Sequence, residues 1–125
     1  MPNNIFILGA TGNRLDHFLF NLNILHIALN KSNCYIIDSK NKIYMTDSYA
    51  EIDGKYKYFS IYPFSDHVEG LTITSAKYNV EDISITKYNS YTLSNEPINN
   101  AYVSIKRGLI LIIESDDANV YWRFY

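Results

Sequence analysis

Ile5-Phe6-Ile7-Leu8-Gly9-Ala10-Thr11-Gly12-Asn13-Arg14-Leu15-Asp16-His17 decides how the chain begins to fold. The four apolar residues at its start form a run too short for a helix and read as a strand. Gly9 and Gly12 then supply a tight turn. From Leu15 onward, Leu15, Phe18, Leu19, Leu22, Leu25 and Leu29 recur at offsets of three and four, the spacing of an apolar helix face. The order is strand, glycine loop, helix. Such a loop gathers free backbone N–H groups and the positive end of a helix at one point, where a phosphate can sit. Arg14 adds a guanidinium that can clamp phosphate oxygens. Asp16 and His17 bring a carboxylate and an imidazole within one turn of it. Asp16 suits the helix dipole as a first-turn acid equally well, and both readings stand.

Outward from this stretch, Asn30 and Asn33 flank a helix exit at Lys31-Ser32. Cys34-Tyr35-Ile36-Ile37 reads as a buried strand, Ser39-Lys40-Asn41 as a turn, and Ile43 to Thr46 as another short strand. A strand–helix–strand unit belongs to an α/β sheet, and one unit cannot cover both sheet faces alone. Near residue 48 the pattern changes. No helical period follows. Strand patterns appear at Tyr56 to Tyr62, closed by Pro63, at Leu71 to Ser75, at Ile83 to Thr86, at Tyr102 to Ile105 and at Leu109 to Ile113. Lys106-Arg107-Gly108 is a turn with Gly available for positive φ, and Val120 to Tyr125 is expected as a last edge strand. Short strands with frequent turn signals predict an antiparallel β-sandwich. The expected fold is mainly β, with residues 1–47 forming a strand–helix–strand piece and residues 48–125 the sandwich.

Composition narrows the function classes. The 125 residues suit one domain, or a small domain with part of another. The formal charge of −2 and the lack of a basic segment give no footprint for nucleic acid or an anionic membrane. No apolar run approaches the roughly 20 residues of a membrane span. No signal-peptide pattern opens the chain, so a cytoplasmic location is expected. The single cysteine, Cys34, cannot form an intrachain disulfide and reads as a small core residue. Three His and one Cys show no metal-ligand spacing. Asp116-Asp117 reads as a charged turn after a buried strand.

The residues also carry a family resemblance. Gly9 to His17, followed by Leu19, Asn21 and Leu22, resembles the G-A-T-G-G-R-x-D-H-x-L-x-N-L signature of thiamine pyrophosphokinases. Ser60-Ile61-Tyr62-Pro63 is similar to that family's S-x-x-P strand end, and Gly70-Leu71-Thr72-Ile73 to its G-V-T-L. Ala76 to Val80 resembles its L-K-Y/W-x-L, Ser94-Asn95-Glu96 its S-N-E, and Gly108 to Ile113 its last G-x-L-L-x-I strand. Each motif is weak alone, and their common order along nearly the whole chain makes the resemblance specific. Asn13 departs from the family's Gly, though Asn tolerates the left-handed conformation better than most residues. Asn89, Thr92 and Pro97 also depart, which leaves the path of the 89–97 loop open.

That family transfers diphosphate from ATP to thiamine with Mg²⁺, giving thiamine diphosphate and AMP. Its members place an α/β catalytic domain before a β-sandwich and pair as homodimers. The resemblance implies that residues 1–47 are the end of the catalytic domain and residues 48–125 the thiamine-binding sandwich. It implies Gly9, Thr11, Gly12 and Arg14 as the nucleotide-phosphate cradle, and Arg14, Asp16 and His17 as catalytic candidates. His17 suits holding the loop by a hydrogen bond better than acting in the cleft. The family's upstream acidic motifs, which hold Mg²⁺, are absent, so no metal ligand is assigned beyond Asp16 as a candidate. The chain is therefore expected to be a C-terminal part that does not catalyse alone. For thiamine, the resemblance implies Tyr78 as a stacking platform and Ser94 and Asn95 as polar contacts. An aromatic face suits the cationic thiazolium, and Asn can both donate to and accept from an aminopyrimidine edge. With twelve Tyr in the chain, a plain surface Tyr competes with the platform reading at Tyr78, and a plain turn competes at Ser94-Asn95. Two other classes remain open: a non-catalytic thiamine-binding module, and a sandwich that serves mainly for dimerisation.

Overall fold

In the computed structural model the described residues are 4–8, 15–29, 33–88 and 94–116, with the side chains of residues 5, 8 and 15–18 outside that description. Strand β1 (Asn4–Leu8) leads to helix α1 (Leu15–Ala28), and β2 (Asn33–Ile37) returns parallel to β1, with Phe6 beside Tyr35. This is the strand–helix–strand unit expected from the glycine loop. The chain then turns antiparallel. β3 (Asn41–Thr46) follows β2 through a turn in which Asp38 Oδ1 accepts from the Lys40 and Asn41 amides at 2.8 and 2.7 Å. After β3 come β4 (Tyr49–Ile52), β5 (Tyr58–Pro63), β6 (His67–Ala76), β7 (Val80–Thr86), β8 (Pro97–Ser104) and β9 (Ile110–Ser115).

The strands form two sheets, one in the order β1-β2-β3-β9-β5 and one in the order β4-β8-β6-β7. Between them lies the main core. Ile52, Phe59, Ile61, Val68, Leu71, Ile85, Ala101, Val103, Ile110 and Ile112 are all essentially inaccessible there. A second core lies on the other face of the five-stranded sheet. There α1 sets Leu25 and Ala28 against Cys34, Ile36, Ile43, Met45 and Leu111. The molecule is thus a β-sandwich with a helix on one outer face. β9 explains why its segment reads as an unbroken apolar run. Ile110 and Ile112 enter the inter-sheet core, while Leu111 and Ile113 face the helix side.

Several expectations shift in detail. The helix stripe was read to include Leu19, yet Leu19 is exposed, as are Phe20 and Ile27. Only one sheet face packs against α1, and it covers the side holding Leu22, Leu25, Ala28 and Leu29. β4 has no counterpart in the expected strands, because four residues containing Ala and Glu give little strand signal. The Lys106-Arg107-Gly108 turn joins β8 to β9, and so carries the chain from one sheet to the other. Its backbone bonds to Glu69, and Gly108 adopts φ +105° with the carbonyl of His67 only 2.7 Å from where a Cβ would stand. The boundary at residue 47 falls between β3 and β4, and the five-stranded sheet holds strands from both sides of it. The strand expected at Val120 to Tyr125 lies outside the described residues.

One buried acid stands out. Glu114, on β9, is 2% exposed, and its Oε1 has no hydrogen-bond partner. Burial pushes its carboxyl above the usual carboxylate range, against the opposing effects of a hydrogen bond with Tyr44 and the charge of Lys42. Burial, and then the Glu114 charge, raise the Tyr44 phenol in turn.

Candidate functional site

The two halves of the expected site lie at different points of the fold. The first is the connection from β1 to α1. Gly9, Thr11, Gly12 and Arg14 fall in residues 9–14, outside the described residues. Asp16 and His17 occupy the first turn of α1, with their side chains also outside the description. What the structure gives here is the framework: a parallel strand ending at Leu8 and a helix starting at Leu15. That is the order in which a helix N-terminus can face an anion.

The second half is described in full, and the structure brings its three residues together. Tyr78 sits in the turn between β6 and β7, with its ring 57% exposed. Ser94 and Asn95 run alongside it. Asn95 is buried, and its amide faces the Tyr78 backbone. The Tyr78 N–H donates to Asn95 Oδ1 at 3.0 Å, and Asn95 Nδ2 donates to the Tyr78 carbonyl at 2.8 Å. The Glu96 N–H reaches the same Oδ1 at 2.9 Å. The Asn95 backbone is bridged to Phe59 by a reciprocal pair of bonds, each 2.8 Å. The Ser94 N–H donates to Ser60 Oγ at 2.8 Å. Ser94–Glu96 therefore lies along β5 of the five-stranded sheet, and Pro97 then pairs with Ala76 in the other sheet.

Charge is organised around the same turn. Lys77 Nζ lies 3.3 Å from Glu96 Oε2 and 5.4 Å from the Tyr78 ring centroid. The hydrogen bond to Glu96, and then the Tyr78 interaction, hold the Lys77 ammonium above its ordinary range. The Lys77 N–H also donates to the Glu96 carbonyl at 2.8 Å. A shallow open cleft of about 510 Å³ lies beyond Glu96 and Pro97, lined by Asp53, Tyr56, Lys57 and Asn99 but by none of Tyr78, Ser94 and Asn95. An exposed aromatic ring held on a fixed backbone can stack on a flat heterocycle. The nearby Glu96 carboxylate is already paired with the Lys77 ammonium, so the two together leave the turn with little net charge.

Ser60, Lys77 and Glu96 were not among the expected site residues. Ser60 and Glu96 were legible as parts of the S-x-x-P and S-N-E patterns, but only the fold shows that Ser60 holds the Ser94 N–H and that Glu96 pairs with Lys77. Asp53, Tyr56 and Asn99 carry no sequence signal of a site. Elsewhere, Cys34 is buried on β2, and burial raises its thiol. His26 packs edge-on against Phe64 at 5.5 Å. Asp116 Oδ1 accepts from the Lys57 N–H at 3.1 Å, a turn contact after β9. Among the described residues no group of three His, Cys, Asp or Glu side chains is placed to hold a metal ion. Nor is any helix among them long and apolar enough to cross a membrane.

Comparison with known proteins falls on the same region. A family model described as "Thiamin pyrophosphokinase, vitamin B1 binding domain" matches residues 35–110, which include Tyr78, Ser94 and Asn95. Thiamine pyrophosphokinase of Bacillus subtilis (strain 168) is 36% identical over 122 residues, covering 93% of this chain and 56% of the relative. The crystal structure of a Bacillus subtilis thiamine pyrophosphokinase superposes with a TM-score of 0.88 at 33% identity, over 93% of this chain and 57% of that one. That of Geobacillus thermodenitrificans thiamin pyrophosphokinase gives 0.81 at 30% identity, over 93% and 55%. The chain thus spans a little over half the length of these relatives. With the matched model covering more than half of the chain, and the sandwich topology shared with those structures, the chain belongs to the thiamine pyrophosphokinase family.

Proposed function

We propose that this chain is the thiamine-recognising part of a thiamine diphosphokinase, the enzyme that moves a diphosphate from ATP to thiamine and releases AMP. One observation carries the proposal. The residues matched to a vitamin B1 binding domain contain an exposed Tyr78 ring fixed in place beside Ser94, Asn95 and Glu96. Tyr78 stacks on a thiamine ring and Ser94 supplies a polar contact. In the same proposal, Gly9, Thr11 and Gly12 cradle nucleotide phosphates and Arg14 clamps them. Asp16 and His17 act or support at the reacting end. Such a transfer depends on positioning and on neutralising spread negative charge. Mg²⁺ would supply part of that neutralisation when bound. Asp16 is this chain's candidate ligand for it. The chain is proposed to work in the cytoplasm, as a homodimer, and to be inactive in diphosphate transfer by itself.

The position of the family match favours a second reading. Residues 35–110 are matched as a binding domain, so this chain could act as a thiamine-binding module without catalysis. Calorimetric titration of the 125-residue chain with thiamine tests both readings. Binding that falls about fivefold to thirtyfold in Tyr78→Ala, the loss of roughly 1–2 kcal/mol of aromatic contact, is expected. Absence of binding by the folded chain counts against both readings and favours a dimerisation role. An assay with ATP, Mg²⁺ and thiamine then separates module from enzyme.

A further inference from the structure

Resting on the thiamine reading above, we propose that Asn95 is a positioning residue: it governs ligand recognition by fixing the Tyr78 backbone and does not itself touch the ligand. Asn95 is 3% exposed, and its amide is turned toward the β6–β7 turn. Its Oδ1 accepts from Tyr78 N and Glu96 N, and its Nδ2 donates to Tyr78 O. One side chain thus satisfies both the backbone donor and the backbone acceptor of a single residue, as a neighbouring strand would. Two bonds to the same residue fix its tilt as well as its height. The clasp is itself anchored. The Asn95 main chain pairs both ways with Phe59, which is fully buried, and Ser94 N rests on Ser60 Oγ, on a residue 3% exposed.

The mechanical path is short. β5 holds Asn95, Asn95 holds the Tyr78 peptide, and the Tyr78 ring projects into solvent. Few other described bonds restrain this turn. Asn79 Oδ1 accepts from Ala76 N, and Lys77 N donates to Glu96 O. Neither touches the polar groups of the Tyr78 peptide. Without the Asn95 amide, those groups would turn to water and the ring would sample more orientations. A stacking platform loses strength when its ring is not held ready for the ligand. Asn95 therefore sets affinity from a buried position, through a ring that is not its own.

A double-mutant cycle on the full chain tests this, with thiamine as the probe. Asn95→Ala is expected to weaken thiamine by about tenfold when Tyr78 is present, and by less than about twofold in a Tyr78→Ala background. Equal losses in both backgrounds would mean that Asn95 contacts the ligand directly, and would overturn the proposal. Hydrogen exchange supplies a readout that needs no ligand. The Tyr78 amide should lose at least about tenfold in protection in Asn95→Ala, while the Phe59 amide, held by main chain, keeps its protection. Unchanged protection of Tyr78 overturns the clasp. If Asn95→Ala does not fold, Asn95→Asp retains the acceptor for Tyr78 N and removes the donor to Tyr78 O. It should show the same non-additivity, and additive losses again overturn the proposal. If the wild-type chain binds no thiamine, the thiamine reading fails on its own account, and the exchange result alone decides whether Asn95 holds Tyr78.

Discussion

Glu114 shows how one residue can set a pH dependence for the whole sandwich. Its carboxyl is buried, lacks a partner for Oε1, and is held above the usual range by that burial. A folded-state value above the unfolded one means that the proton stabilises the fold. The stabilisation is complete at pH below the unfolded value and is lost as pH rises through the folded value. Tyr44, Lys42, Asp53 and Lys55 are the groups that act on it. Glu114→Gln keeps a hydrogen-bonding group beside Tyr44 and removes the titration. The variant should be more stable than wild type at pH above the ordinary carboxylate range, because it removes the buried negative charge. Its stability should also vary less as pH rises above the ordinary carboxylate range. Urea unfolding at several pH values checks this; a wild-type midpoint that rises with pH above that range would show that the carboxylate form is the stabilising one. The sequence offered no warning of this residue, because a Glu at the end of an apolar strand looks like a solvated strand terminus.

At the scale of elements, β9 and α1 make opposite predictions about apolar side chains. Ile112 on β9 is fully buried in the inter-sheet core, so Ile112→Ala should cost about 2–5 kcal/mol through lost burial and an incompletely closed cavity. Phe20 on α1 is 66% exposed, so Phe20→Gln should change stability by less than about 0.5 kcal/mol. Thermal melts of the two variants compare them directly; a larger loss for Phe20→Gln would show that α1 packs another way. The two cases mark what the sequence made legible. A glycine-bounded run such as Gly108 to Ile113 declares a central strand, because only burial on both faces tolerates it. The period of α1 declares a helix, but Leu19 and Phe20 are as apolar as Leu22 and Leu25, so their outward orientation depends on which side the sheet covers. For the candidate site, Tyr78, Ser94 and Asn95 were legible as motif matches. Their division of labour was not, since Asn95 acts on a backbone 17 residues away in sequence.

Across the whole molecule, the five-stranded sheet ties the beginning of the chain to its end. β3 pairs with β9 from Asn41–Ser115 to Thr46–Ile110, so Leu111 shares one core with Ile43, Met45 and α1. A piece comprising residues 48–125 would expose that face and the edge of β9. It should show no cooperative unfolding transition, whereas the complete chain should; circular dichroism with near-ultraviolet detection distinguishes them, and a sharp transition in the piece would identify an autonomous sandwich. The same interior layer contains the lone thiol of the protein. Cys34 is 7% exposed beneath α1, with its thiol pushed away from ionisation by burial. A thiol-directed reagent should therefore label the native chain slowly, and faster whenever the helix lifts from the sheet. The rate of labelling becomes a clock for that opening, already wired into the wild-type chain and readable without any engineered probe.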